Sequence, residues 1–163
     1  MNDPQTTTSK KSVATTEGLG LRPQIGALPW RKTDGLEILL LSSRETKRWV
    51  IPKGWPVKGK KPHRAAELEA YEEGGLEGKI EKTAFGAYQY VKRLADGANQ
   101  PCRVDVYPLK VVKQYKKWPE SGQRALRWFT PTEAAKAVDE ADLAALILQF
   151  AATIAARADR RGG

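Results

Sequence analysis

The chain has 163 residues, with 28 Lys and Arg against 19 Asp and Glu, a formal charge of +9 and an isoelectric point near 9.7. That length suits one core, and 40% apolar residues with 14 Gly and 10 Pro belong to a globular domain rather than a disordered or collagen-like chain. A single Cys102 and a single His63 exclude an intramolecular disulfide and a four-ligand structural zinc site.

Residues 1–20 are rich in Thr, Ser and Lys, with Val13 and Leu19 as their larger apolar side chains. They cannot offset their ordering entropy by burial and are expected to form a flexible arm. The arm has neither the apolar core of a secretory signal nor an Arg before Arg22, so the cytoplasm is the expected compartment. One domain is expected over residues 21–157, with residues 158–163 as a flexible tail. Strand character begins at Ile25 to Trp30 and resumes at Leu36 to Leu41, and the Asp34-Gly35 pair between them predicts a hairpin. Trp49 to Ile51 forms a short strand stopped by Pro52, and Lys53 to Lys61 is a loop punctuated by Gly54, Pro56 and Gly59. Pro62 suits a first helical position and Gly74-Gly75 a helix exit, which predicts a helix over about 62–73.

Beyond the helix, Lys79 to Val91 and Arg103 to Val112 have strand character, and Ala125 to Phe129 gives another short strand. Thr130 or Thr132 can cap a short helix ending at Val138. Leu143, Ile147, Phe150 and Ile154 recur at helical spacing and form the buried stripe of a last helix. The apolar stretch from Leu143 to Ala156 contains Gln149 and Thr153 and falls short of the roughly 20 apolar residues of a membrane span. It is expected to be a core helix, without membrane contact. Strands interrupted by one internal helix and closed by a terminal one predict an α/β (α+β) domain, a mixed sheet with helices on both faces.

The charge is clustered. Residues 44–64 hold Arg44, Lys47, Arg48, Lys53, Lys58, Lys60, Lys61 and Arg64 against Glu45, whereas residues 65–81 hold six Glu against Lys79. On the predicted helix, Glu69, Glu72 and Glu73 share one face at i, i+3 and i+4, where like charges repel by about 0.2–0.5 kcal/mol per pair. No Lys or Arg lies one turn away on that face, and a hard divalent cation such as magnesium, with manganese as the alternative, would neutralise the trio. Lys58, Lys60, Lys61, His63 and Arg64 crowd the helix start, where the macrodipole favours anions. Those lysines and the free N–H groups make a polyphosphate cradle. His63 itself is expected to be solvated.

Gly54, Glu69, Ala70, Glu72, Glu73, Gly75 and Leu76 fall at the spacing of the Nudix box, and the chain resembles the Nudix hydrolase family. Lys60 stands where that box has its first Glu, and Leu68 where it has Arg. Leu40-Leu41-Ser42-Ser43-Arg44, Arg48 to Gly54 and the Trp128-Phe129 strand are similar to the subgroup of diphosphoinositol polyphosphate and diadenosine polyphosphate phosphohydrolases. Where that subgroup often has three glycines, this chain has Lys53-Gly54-Trp55. The resemblance, over about residues 22–150, implies an α/β/α sandwich with an internal catalytic helix and a C-terminal helix. By position it also implies that Arg22, Ser42, Ser43, Arg44, Lys53 and Gly54 contact substrate phosphates.

These features together predict magnesium-dependent hydrolysis of a phosphoanhydride bond in a small polyphosphorylated molecule. Glu69, Glu72 and Glu73 would hold metal, Glu73 or Glu69 would act as general base, and Arg44, Lys53, Lys58, Lys60 and Lys61 would neutralise phosphate. Glu120 is a further candidate ligand from a later loop. Removal of pyrophosphate from RNA 5′ ends is the alternative within the same chemistry. A non-catalytic module that binds polyphosphate or nucleic acid is the alternative outside it, with five Trp available for stacking. Trp30, Trp49 and Trp128 lie in predicted strands, where core packing is the expected role.

Overall fold

The computed structural model describes residues 20–44 and 48–162, so the expected N-terminal arm as far as Leu19, and Lys47, lie outside the described residues. Eight strands form one sheet: β1 Arg22–Lys32, β2 Leu36–Ser42, β3 Trp49–Val50, β4 Lys53–Gly54, β5 Leu76–Ile80, β6 Gly86–Arg93, β7 Asn99–Gln114 and β8 Leu126–Phe129. Among the described residues three helices complete the fold: α1 Pro62–Gly74, α2 Pro131–Ala137 and α3 Ala141–Gly162. The sheet is mixed, as expected. Its path runs β3-β2-β1-β7-β5, with β4 on β1, β6 on β7 and β8 on β2. The β1–β7 pairing is parallel, from Arg22↔Cys102 to Trp30↔Lys110, and the other strand pairs are antiparallel.

Strand β1 shows why the sheet is two-sided. Every residue from Gln24 to Trp30 is buried, without the alternation of a half-solvated strand, because helices cover both faces. On one face Ala65, Ala66 and Ala70 of α1 pack with Ile25, Ala27, Leu39, Leu41 and Leu109. On the other, the stripe Leu143, Ile147, Phe150 and Ile154 packs with Leu28, Trp30, Leu40 and Val104. The small residues of α1 bring its backbone close to the sheet, which sets how near its carboxylates lie to the strands.

Several expected boundaries shift. Lys53 and Gly54, expected in a loop, pair with Gly26 and Ile25 as β4. The strand expected over Lys79 to Val91 is two, β5 and β6, separated near Thr83 and Ala84, and β7 is longer at both ends than expected. α3 continues through residues 158–162, which composition assigned to a tail. Among the described residues α3 also has the length and composition that would suffice to cross a membrane, although one face of it packs on the sheet. Trp30 packs edge-on against Phe150, and Trp49 against Phe129, in the core role expected of them. Trp128 is half-buried beneath the Arg31 guanidinium, 4.0 Å from its ring.

Of the two cap candidates for α2, Thr130 is the one used. Its hydroxyl accepts the Glu133 N–H, and the Glu133 carboxylate accepts the Thr130 N–H, a reciprocal capping box. Thr130→Ala is expected to cost about 1 kcal/mol. Phe150→Ala, which empties a fully buried site between Trp30 and Phe85, is expected to cost about 3–5 kcal/mol. Urea unfolding followed by tryptophan fluorescence would rank the two.

Candidate active site

Helix α1 ends at Gly75, whose φ of 65° lies in the left-handed region that glycine adopts without strain. Its last carbonyls are then taken up by a distant segment. The Glu72 carbonyl accepts the Glu120 N–H at 3.1 Å, the Glu73 carbonyl accepts the Trp118 indole N–H at 3.2 Å, and the Gly75 carbonyl accepts the Tyr115 N–H at 2.8 Å. Those bonds satisfy groups that a helix end leaves open. They also fasten the β7–β8 loop beside the carboxylates of α1. The other end of that loop is tied to β2, where the Ser42 N–H donates to the Ala125 carbonyl and the Ser42 hydroxyl accepts the Ala125 N–H, both at 2.9 Å.

The Glu69 carboxylate lies flat against the backbone of β4. A Cβ added at Gly54 would sit 2.6 Å from Glu69 Oε1, so a side chain there would push that carboxylate out of its place. Glu69 and Glu73, one turn apart, hydrogen-bond through their carboxyl groups. Burial raises both pKa values, and for Glu73, additionally raised by the bond from Glu69, the result is about 8. Glu72 is half-buried and acts on Glu69 through its charge, outside the bonded pair.

The missing countercharge on this face comes from other elements. Arg124, on the loop that caps α1, places Nη2 3.9 Å from Glu73 Oε1 and Nε 3.5 Å from Glu120 Oε1, while Nη1 donates to the Ser42 carbonyl at 3.4 Å. Lys53 gives its backbone N–H to Glu73 Oε1 at 3.4 Å and sets its ammonium 4.8 Å from the Tyr90 ring. Burial lowers the Lys53 pKa to about 8 against the opposing charges of Glu73 and Glu140, and Lys92 and Arg124 lower it further. The Glu69–Glu73 pair is thus flanked by Lys53 and Arg124.

The other expected substrate residues fall in three places. Arg22 lies beside this site, its guanidinium 4.3 Å from the centre of the Trp55 ring, where the subgroup often has a further glycine. Arg44 is exposed and donates to Gln123 Oε1 at 2.7 Å, and the Ser43 hydroxyl accepts the Arg48 N–H at 3.1 Å. Lys58 is exposed on the loop before α1, while Lys60 and Lys61 line a cleft on the opposite face of α1 from Glu69 and Glu73. The basic block is therefore dispersed. Arg48 is committed to Asp139 and Glu140, and Arg64 to Glu67. His63, expected to be solvated, is 7% exposed. Arg124, Lys92, Tyr90, Trp55 and Glu140 were absent from the expected site, since the local pattern around each carries no mark of what it faces.

Glu69 and Glu73 supply hard oxygen donors of the type magnesium prefers, and a cation would replace the proton they share. Glu120 Oε1, beside Arg124 Nε and without a hydrogen bond, raises the Glu69 pKa through its charge and is a candidate further oxygen for such an ion. The residues fit such a cation, although among the described residues no three His, Cys, Asp or Glu side chains stand close enough together to hold one as placed.

The two pKa shifts define a pH dependence for the metal-free fold. A carboxyl raised from 4.5 to about 8 favours the folded state while protonated, so that contribution is lost as pH rises through this window. A lysine lowered from 10.5 to about 8 favours the folded state while neutral, so its contribution returns as pH rises from about 8 to 10.5. In EDTA, thermal unfolding is expected to show a minimum Tm near pH 8. Glu73→Gln is expected to flatten the fall between pH 5 and pH 8.

The model of the NUDIX domain matches residues 20–150. The chain is 33% identical over 125 residues to Nudix hydrolase 21, chloroplastic, of Arabidopsis thaliana, covering 71% of this chain and 59% of that one. It is 30% identical over 120 residues to human diphosphoinositol polyphosphate phosphohydrolase 3-beta, covering 72% and 69%. Against Nudix hydrolase 12, mitochondrial, of Arabidopsis thaliana, it spans 50% of the relative's length. The fold is also that of a C. elegans Ap4A hydrolase in a binary complex, with a TM-score of 0.60, 23% identity and coverage of 83% of this chain and 99% of that one. With its box carboxylates paired on α1 and the domain matched over most of its length, the chain belongs to the Nudix family.

Proposed function

We propose that the chain is a metal-dependent hydrolase of phosphoanhydride bonds in a small polyphosphorylated molecule, of the diphosphoinositol polyphosphate or diadenosine polyphosphate class. The observation that carries this reading is the buried Glu69–Glu73 pair, set against Gly54 and flanked by Lys53 and Arg124. Such a site demands a cation at the carboxylates and an anion just beyond it. Its similarity to a human diphosphoinositol polyphosphate phosphohydrolase and to a C. elegans Ap4A hydrolase supports the substrate class.

Glu69 and Glu73, with Glu72 and Glu120 at their edge, would hold magnesium or manganese, which supplies Lewis-acid stabilisation of phosphate oxygens and lowers the pKa of water. The chain's own residues do the rest. Lys53 and Arg124 neutralise negative charge on the phosphates, and their fixed placement avoids reorganisation as that charge develops. Arg22 and Arg44 extend the cationic surface to either side. Glu73 Oε2 or Glu69 accepts the proton of the attacking water. Trp55, braced by Arg22, and Tyr90, braced by Lys53, offer flat faces beside the phosphate path.

Arg124 answers the departure at Leu68. The box arginine is missing from the helix, and a guanidinium from the β7–β8 loop supplies the positive charge beside Glu73. Arg124→Gln is expected to lower kcat/KM by about tenfold or more, with Arg124→Lys recovering part of it.

The direct test offers purified protein diadenosine tetraphosphate, a diphosphoinositol polyphosphate and a 5′-triphosphorylated RNA, with and without magnesium, with product identification. Metal-dependent turnover of a small substrate is expected, reduced about 100-fold or more in Glu73→Gln and Glu69→Gln. Preferential turnover of the RNA would move the substrate to the 5′ end of RNA. Tight, salt-dependent RNA binding without turnover of any substrate would replace the enzyme with a binding module.

A further inference from the structure

We infer that the face of α1 turned away from Glu69 and Glu73 carries a second, separate site for a phosphate ester with an apolar or aromatic body, the class of a nucleoside monophosphate. A cleft of about 650 Å³ runs between this face and β5, within the usual size range of small-molecule sites. Tyr71, Leu68, Leu76 and Leu109 give it an apolar wall. Its other end is cationic, lined by Lys60, Lys61 and Lys82, none of which has an ion-pair partner among the described residues. The acids of the cleft are already engaged: Glu67 with Arg64 at 2.7 Å, and Glu77 with the Tyr115 hydroxyl.

Two independent observations point to a ligand. The first is His63. Its side chain belongs to a residue only 7% exposed, it lines the cleft, and it has no hydrogen-bond partner among the described residues. Its ring nitrogens are not among the sealed, unpartnered polar atoms, so they remain open to the cleft, where an anion could accept from them. The neighbouring start of α1 has no side-chain cap and no acidic residue in its first turn, so no side chain of its own first turn occupies the anion-favouring position. The second is that both departures from the box line this same cleft. Lys60 replaces a Glu and Leu68 an Arg, which makes one end more cationic and the wall more apolar. A phosphate at the cationic end and a ring against Tyr71 and Leu68 satisfy both ends at once.

The chain has one histidine, so the imidazole signals of tag-free protein report on this cleft alone. Adenosine monophosphate, inorganic phosphate and adenosine would each be titrated into wild type, Lys82→Glu and Glu73→Gln while the His63 resonances are followed by NMR. Adenosine monophosphate is expected to shift them saturably, more tightly than either fragment. The midpoint should be unchanged in Glu73→Gln and weakened by about tenfold in Lys82→Glu, whose exposed side chain carries no packing. Absence of a saturable shift below about 10 mM, an unchanged midpoint in Lys82→Glu, or loss of the shift in Glu73→Gln would each overturn the inference. Because the readout is binding at His63, these outcomes are independent of whether the chain hydrolyses any polyphosphate.

Discussion

Two carboxylates one turn apart on a helix, pressed against a strand backbone and partly removed from water, set the terms for the rest of this structure. Charge repulsion and burial both oppose Glu69 and Glu73 being ionised together, and the raised pKa of each records that conflict. The arrangement persists because the surrounding elements hold it. Gly54 offers a backbone with no side chain in the way, Ala65, Ala66 and Ala70 let the helix settle close to the sheet, and Lys53 and Arg124 bring positive charge to the rim. Apolar packing fixes the position of α1, and the conflict remains for a cation to relieve.

The second structural device is the way α1 ends. Free carbonyls at a helix C-terminus need donors, and here the donors are Tyr115, Trp118 and Glu120, so satisfying the helix also docks the loop that carries Arg124. Trp118 fits against Gly75, where any Cβ would meet its ring at 2.6 Å. One glycine therefore serves both the left-handed exit of the helix and the seat of the loop. Hydrogen bonds from Ser42 to Ala125 fix the other end, which gives the long Arg124 side chain a defined direction. A buried cation supplied by an anchored loop loses less entropy on ordering than an exposed lysine does.

Charge clustering in the sequence and charge clustering in space differ here. The dense run of cations between residues 44 and 64 looks like one cradle, yet the fold distributes it. Lys53 joins the carboxylates, Arg48 is tied to the start of α3 through Glu140, and Lys60 and Lys61 face the far side of α1. Apart from Arg64, the described cations of this run lie in strands, turns and loops that precede α1, so the path of the chain carries them to different parts of the surface. The cations that do gather around Glu73 come from β4 and the β7–β8 loop.

Local chemistry made much of the chain legible from its sequence. Pro62 and Gly75 bracket α1, Asp34-Gly35 marks the hairpin between β1 and β2, Thr130 with Glu133 caps α2, and the stripe from Leu143 to Ile154 names the buried side of α3. The spacing of Gly54, Glu69 and Glu73 also made the acidic half of the site readable, because those residues lie on one turn of helix and the strand that feeds it. Tertiary structure alone decided the parallel pairing of β1 with β7, the seating of Arg124 beside Glu73, the burial of His63 and the assignment of each lysine to a face of α1. The physical reason is range. Turns, caps and periodicity act over a few residues, whereas countercharge and burial depend on which distant segments the sheet brings into contact.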